Sequence, residues 1–290
     1  MIDKIVPKTA VIGADGFLGV NFFKSCRDLY PDCVGTLISN LDLIKPDIGP
    51  FSLAKSAHQE ALILAGITKI VECQNDPPGT RKINVSGTLE LIRQLVQEGI
   101  KPVFFSSDHV FDGKKGSYAE DSAVNPLTEY GKQKAEVESG IKELTRGNYL
   151  VVRLSKVFST GGKDGTLLNQ MAGTLLRGET IRAAYDQLFC PTFVNDVVAA
   201  VKWAQGERVS GIINVCSPES WSRYDLAVTL AKKLGVDAVR VEKATLDEVT
   251  AGIKYPKNTT MVSKVLPRNR ITFKPIMECI DEVVQKCKER

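Results

Sequence analysis

Short, wholly apolar runs alternate along this 290-residue chain with longer stretches whose apolar residues recur three and four apart. The first pattern predicts strands buried on both faces, and the second predicts helices with one face on a core. Thr9-Ala10-Val11-Ile12 is the first such strand, and Leu18, Phe22, Phe23 and Cys26 trace the helix after it. Further strands are predicted at 33–38, 61–66, 102–106 and 149–154, and 39–54 reads as irregular. Helices are predicted through 84–92 and across Tyr130 and Lys134. Strands alternating with helices in this way predict an α/β fold with a doubly wound parallel sheet and right-handed crossovers.

From about Leu154 the rhythm changes. A loop is predicted at 161–165, a helix at 166–177 and an extended segment at 186–192. Asn195 is expected to cap a helix through Trp203, followed by a strand at 211–215. Ser222 should cap a helix to Leu234 that Gly235 stops, and Pro275 should open a last amphipathic helix. The expected division is a nucleotide-binding domain over 1–154, rejoined by segments at about 188–217, and a smaller C-terminal substrate lobe made mainly of 155–290.

The strand at Thr9 runs straight into Gly13-Ala14-Asp15-Gly16-Phe17-Leu18-Gly19 and then into a helix. Strand, glycine turn and helix in this order form a dinucleotide-binding unit of the Rossmann type, in which a pyrophosphate sits on free N–H groups at the helix N-terminus. Gly13, Asp15, Gly16, Phe17, Leu18 and Gly19 are therefore candidate cofactor-binding residues. An acid roughly twenty residues past the glycines would hold the ribose hydroxyls of NAD. Ser39 and Asn40 stand there instead, which leans the cofactor towards NADP, with NAD as the other choice.

A second constellation lies at 106–134. The strand ending Ser106-Ser107 runs into Asp108-His109-Val110-Phe111-Asp112-Gly113, and Tyr130 and Lys134 follow on a helix, one turn apart on a shared face. A hydroxyl, a phenol and an ammonium that lowers the phenol's pKa are what protonation of a carbonyl oxygen requires. With two histidines, His58 and His109, the chain has little with which to build a Ser-His-Asp hydrolase or a histidine metal site, and no metal is expected.

Composition narrows the classes further. A net charge of +4 over 38 basic and 34 acidic residues is no nucleic-acid footprint. No apolar run reaches a membrane span, and residues 1–8 lack the apolar stretch of a signal peptide. Seven cysteines without a C-x-x-C pair point to buried free thiols in a reducing compartment, so a cytoplasmic location is expected.

The motifs at 13–19, 106–113 and 125–134, with Asp186-Gln187 and Pro191-Thr192, resemble those of the dTDP-4-dehydrorhamnose reductase (RmlD-like) family of extended short-chain dehydrogenase/reductases. The resemblance implies an NAD(P)H-dependent reductase of a 4-keto nucleotide-linked sugar. Ser107, Tyr130 and Lys134 would be catalytic, with Tyr130 and Lys134 also on the cofactor beside Ala65 and Gly66. It implies sugar contacts near Asp108, His109 and Lys156. The last two replace the family's usual Tyr and Trp, which puts the rhamnose precursor itself in doubt. The alternatives are a nucleotide-sugar epimerase or dehydratase, or a non-catalytic regulatory subunit resembling that of methionine adenosyltransferase. The expected partners are a nucleotide sugar and at most a second copy of the chain as a homodimer, with neither nucleic acid nor membrane.

Overall fold

The computed structural model describes residues 5–161, 164–250, 252–267 and 269–289. Residues 1–4 and, in the loop expected at 161–165, Gly162 and Lys163 lie outside the described residues. The chain folds into two compact units, one taking Met1–Val110, Val124–Arg153 and Val198–Ile213, the other Phe111–Ala123, Leu154–Val197 and Asn214–Arg290. The return to the first unit is shorter than the expected 188–217. Residues 111–123, assigned by the sequence to the first domain, go with the second unit. Backbone pairing explains that: Tyr118 N donates to Thr260 O at 2.9 Å, and Val262 N donates to Tyr118 O at 3.0 Å.

The first unit is built on a six-stranded sheet. Its elements are β1 (Thr9–Ile12), α1 (Phe17–Leu29), β2 (Gly35–Thr36), β3 (Glu60–Ile63), α2 (Ile70–Asn75), α3 (Pro77–Arg81), α4 (Thr88–Gln97), β4 (Lys101–Ser107), α5 (Glu129–Thr145), β5 (Leu150–Leu154), α6 (Val194–Gly206) and β6 (Gly211–Val215). The strand order is β6-β5-β4-β3-β1-β2, and β2, β1, β3 and β4 run parallel. Every residue of β1, β3, β4 and β5 is buried, as a sheet covered on both faces demands. Leu91, Ile92 and Leu95 of α4 and Val137 and Ile141 of α5 pack on Ile12, Ile63, Phe104 and Val151. The order reverses beside β1, and that switch point is where an open α/β sheet leaves a crevice at its carboxyl edge.

Three elements differ from expectation. The strand expected at 33–38 shrinks to β2, because Asn40 Oδ1 accepts from Leu37 N at 2.7 Å and closes a turn directly after Thr36. The helix expected through 84–92 begins as a wide turn, Lys82–Gly87, before α4. Gly87 is required there, since a Cβ would lie 1.6 Å from Leu43 O. Asn195 is not a cap, because α6 starts at Val194.

In the second unit the helices Leu167–Leu176, Arg223–Leu234 and Ile276–Lys288 share a core that includes Leu168, Leu175, Leu230, Ile280 and Val283. Strands Ile181–Ala184 and Val241–Ala244 pair in parallel, and Leu188–Phe189 pairs antiparallel with Trp221–Ser222. Ser222 Oγ accepts from Asp225 N at 3.0 Å and Gly235 ends that helix at φ +72°. All seven cysteines are free thiols, five of them buried. Among the described residues no helix is long and apolar enough to cross a membrane.

Candidate active site

The glycine turn after β1 divides its labour. Gly13 has φ +89°, and a Cβ on it would lie 2.8 Å from Ala65 N. A Cβ on Gly19 would lie 1.9 Å from Gly13 O, so Gly19 lets α1 sit against the turn. A Cβ on Gly16 would meet Gly13 O at 3.6 Å, an ordinary contact, and Gly16 lines the cleft. Asp15 Oδ2 accepts from Ile38 N at 3.0 Å and ties the turn to the end of β2. The resulting cleft, about 520 Å³, is walled by Gly13, Asp15, Gly16 and Thr36 on one side and Leu64, Ala65, Gly66 and Ile67 on another, with Leu37, Ile38 and Asp42 at one end. Of the sequence candidates, Ser39 and Asn40 stand outside this lining, because the turn begins two residues early and Asn40 is spent on it. Phe17 and Leu18 are half-buried at the start of α1.

The second constellation assembles at the end of β4. Ser107 is its last residue, and Asp108–Val110 make one turn of 3-10 helix after it. Thr128 caps α5 by accepting from Gly131 N at 3.1 Å, which leaves Tyr130 in the first turn. A Cβ on Gly131 would lie 2.1 Å from His109 O, so this glycine sets how closely Tyr130 approaches the strand end. The His109 and Tyr130 rings meet edge to face at 6.1 Å, and His109 N donates to Ser107 Oγ at 3.2 Å. Ser107 Oγ in turn donates to Asp108 Oδ1 at 3.0 Å.

Burial raises the pKa of the Tyr130 phenol, and the Asp108 charge pushes the same way. A hydrogen bond with the Ser107 side chain pulls against both. The net shift of the phenol is upward, because desolvation outweighs the hydrogen bond. Lys134 sits one turn on. Its Nζ donates to Phe105 O at 2.8 Å and lies 5.7 Å from the Tyr130 ring centroid. Burial lowers its own pKa to about 8, against the charges of Cys73 and Glu138.

Sequence reading missed the residue that links the two constellations. Asn84 Oδ1 accepts from Ile67 N at 2.8 Å, and its Nδ2 donates to Ile67 O at 2.9 Å and to Gln133 Oε1 at 2.7 Å. Ile67 lies on the cleft rim and Gln133 is next to Lys134, so Asn84 fixes the cleft wall to α5. The one signal was a polar residue and a glycine inside a helical run, which is where a wide turn forms. Lys156 is an exposed residue of the second unit whose carbonyl accepts from Thr192 N at 3.0 Å.

The RmlD substrate binding domain family matches residues 8–288. The chain belongs to that family. Among relatives of this RmlD-type chain, a dTDP-4-keto-6-deoxy-D-glucose reductase from Streptomyces niveus is 26% identical over 254 residues, 87% of each chain. The methionine adenosyltransferase 2 subunit beta of Xenopus tropicalis is 24% identical over 272 residues, 87% of this chain and 79% of the relative. The solved structure of a dTDP-4-dehydrorhamnose reductase from Bacillus anthracis in complex with NADP superposes at TM-score 0.82 with 22% identity, over 99% of this chain and 100% of the other. That structure shares the fold.

Proposed function

We propose that this chain is an NAD(P)H-dependent reductase of a 4-keto group on a nucleotide-linked sugar. The observation that carries the reading is the meeting at one strand end of the buried Ser107 and Tyr130 side chains, with Lys134 Nζ one turn behind, 5.7 Å from the Tyr130 ring centroid. The similarity to a sugar-nucleotide reductase over 87% of both chains supports it.

The cleft fits a dinucleotide on one test: two glycines are consumed by close backbone packing, and Gly16, which meets nothing closer than 3.6 Å, lines the cleft where a phosphate would lie on the α1 N-terminus. Asp15 and Ala65 to Ile67 would hold the rest. When bound, a reduced nicotinamide supplies hydride to the keto carbon. The chain itself supplies the proton and its placement. Tyr130 donates its phenolic proton to the keto oxygen, and Ser107 donates a hydrogen bond to the same oxygen. The Lys134 ammonium, anchored on Phe105 O, stabilises the phenolate left behind. Asp42, and not Ser39 or Asn40, lines the end of the cleft beyond β2, and Asp108 and His109 are the proposed sugar contacts of the first unit.

Replacing Tyr130 with Phe removes the proton and keeps the ring. Turnover of a dTDP-4-keto sugar should fall about 10²–10⁴-fold, with NADPH affinity unchanged by fluorescence titration. Full turnover by a Tyr130→Phe protein that binds cofactor overturns the mechanism. The similarity to a methionine adenosyltransferase subunit supports a second reading, a nucleotide-binding partner subunit. It is favoured if the wild-type protein binds NADPH but oxidises it with no keto sugar.

A further inference from the structure

Cys26 and Cys33 stand at the two ends of the connection between α1 and β2. Cys26 lies in the last turn of α1, and Tyr30 N donates to its carbonyl at 2.8 Å. Cys33 N then donates to Tyr30 O at 2.9 Å, so two successive backbone bonds fold the chain back against the helix end. Cys33 Sγ donates to Thr9 O at 2.8 Å, and Thr9 and Cys26 line one small cavity with Phe22, Leu29 and Tyr30. Both cysteines therefore converge on the same residue of β1. Cys33 is 7% exposed, whereas Cys26 is half-buried beside the exposed Leu29.

The groups around Cys33 favour its thiolate. Each thiol is the strongest influence on the other: Cys33, helped by burial, pushes the Cys26 pKa upward, and Cys26 draws that of Cys33 down. Burial opposes the fall at Cys33, while His58 and the Lys8 ammonium add to it. Lys202 acts on Cys26 against Cys33 and burial. The polar neighbours are held in place. Val34 N donates to His58 Nε2 at 3.2 Å, and His58 Nδ1 lies 2.9 Å from Ser56 Oγ. Lys8 Nζ donates to Ser56 O at 2.7 Å and to Asp32 Oδ2 at 2.5 Å. At other cysteines burial wins: it raises the Cys73 pKa and pushes that of Cys279 up to about 12. The pair thus gives up its first proton from Cys33 and keeps the second on Cys26. A thiolate next to a protonated thiol supplies one sulfur to be oxidised and another to resolve it.

We propose that Cys26 and Cys33 are a redox-modification site that closes to a reversible disulfide when the chain meets a peroxide. The Cys33 thiolate attacks one peroxide oxygen. An S–O bond forms, the O–O bond breaks, and the leaving hydroxide takes up the proton that Cys33 released and departs as water. The Cys26 sulfur then attacks the Cys33 sulfur; the S–S bond forms as the S–O bond breaks, and the Cys26 proton leaves with the hydroxyl as a second water. Two thiols give up two electrons and two protons, and one peroxide is reduced to two waters. The site stands apart from the reductase reading, since neither sulfur lines the cleft.

The test treats the full chain with a stoichiometric amount and then an excess of hydrogen peroxide, alkylates the remaining thiols in denaturant and weighs the protein. Two of the seven cysteines should escape alkylation, and dithiothreitol should restore all seven. Trypsin cuts after Lys24 and Arg27 and so separates the pair, and the oxidised digest should hold Ser25-Cys26-Arg27 joined to the peptide that begins at Asp28. Cys26→Ser should form no disulfide and leave Cys33 as a sulfenic acid that dimedone captures. Cys33→Ser should react with peroxide about tenfold more slowly, having lost the thiolate. If Cys33→Ser does not fold, Cys26→Ser, at the half-buried position, carries the test. Seven alkylated cysteines after excess peroxide, or a disulfide that leaves Ser25-Cys26-Arg27 unlinked, overturns the site. Cys190 and Cys216, whose thiols both donate to Met261 O at 3.7 and 3.3 Å, are the competing pair that such a digest would reveal. Equal peroxide reactivity of Cys33→Ser and wild type overturns the role of Cys33 as the attacking sulfur.

Discussion

Lys134 bears a cost whose pH dependence follows from its burial. Its pKa falls from an ordinary 10.5 to about 8 in the folded chain. Below pH 8 both folded and unfolded chains hold the proton, and the native state bears the full desolvation penalty. Between about 8 and 10.5 only the unfolded chain holds it, so this penalty is relieved as pH rises, and above 10.5 there is none left to relieve. Lys134→Met removes the penalty. The melting temperature of Lys134→Met minus that of wild type should therefore be largest below pH 8 and shrink towards pH 10.5. A difference that stays flat over that range would refute the shifted pKa. The ammonium is also the working form in the proposed chemistry, so wild-type kcat/KM should fall as pH rises through about 8. At this level the candidate residues were legible, because a strand-end hydroxyl and a Tyr and Lys one turn apart are local patterns. Asn84 was not, since its partner Gln133 lies 49 residues away and only the folded sheet brings them together.

Two glycines of α5 separate packing that positions chemistry from packing that merely fills space. At Gly131 an added Cβ meets the backbone carbonyl of His109 at 2.1 Å, and a carbonyl fixed by its own 3-10 turn cannot yield without moving the strand end. At Gly140 the added Cβ meets Leu89 Cδ2 at 2.7 Å, the far end of a flexible side chain. Gly131→Ala should thus lose activity by displacing Tyr130 from Ser107 and also lower stability in urea melts. Gly140→Ala should change stability little, since the helix-propensity gain of about 1 kcal/mol offsets the shift of Leu89, and should keep wild-type turnover. Equal turnover in the two variants would show that the Gly131 contact does not set the site. No periodicity argument distinguishes these glycines, because both sit on one amphipathic helix. The difference lies in whether the neighbouring atom is backbone or a side-chain tip.

The alternation of strands and helices was enough to foresee the parallel sheet, and the boundary of the units was not. Hydrophobic periodicity reports which face of an element is buried, but not which body buries it. Residues 111–123 read as a loop of the first domain and are held in the second unit by pairing with Thr260 and Val262. The same interleaving makes the first unit depend on late sequence. Gln205 Nε2 donates to Thr9 Oγ1 at 2.9 Å and Glu60 Oε2 at 2.8 Å, both at the starts of early strands. Lys101 Nζ donates to Val209 O at 2.7 Å, and Gly211 N donates to Tyr149 O at 2.9 Å. A chain cut after residue 154 removes these partners from Thr9, Glu60, Lys101 and Tyr149 and opens the β5 edge, a row of unpaired backbone groups beside the buried Val151 and Val152. The fragment 1–154 should therefore aggregate, or melt without a cooperative urea transition, although it holds the whole glycine turn and all of Ser107, Tyr130 and Lys134. A fragment that unfolds in two states with a midpoint close to that of the intact chain would mean that α6 and β6 are ornaments on a domain complete without them.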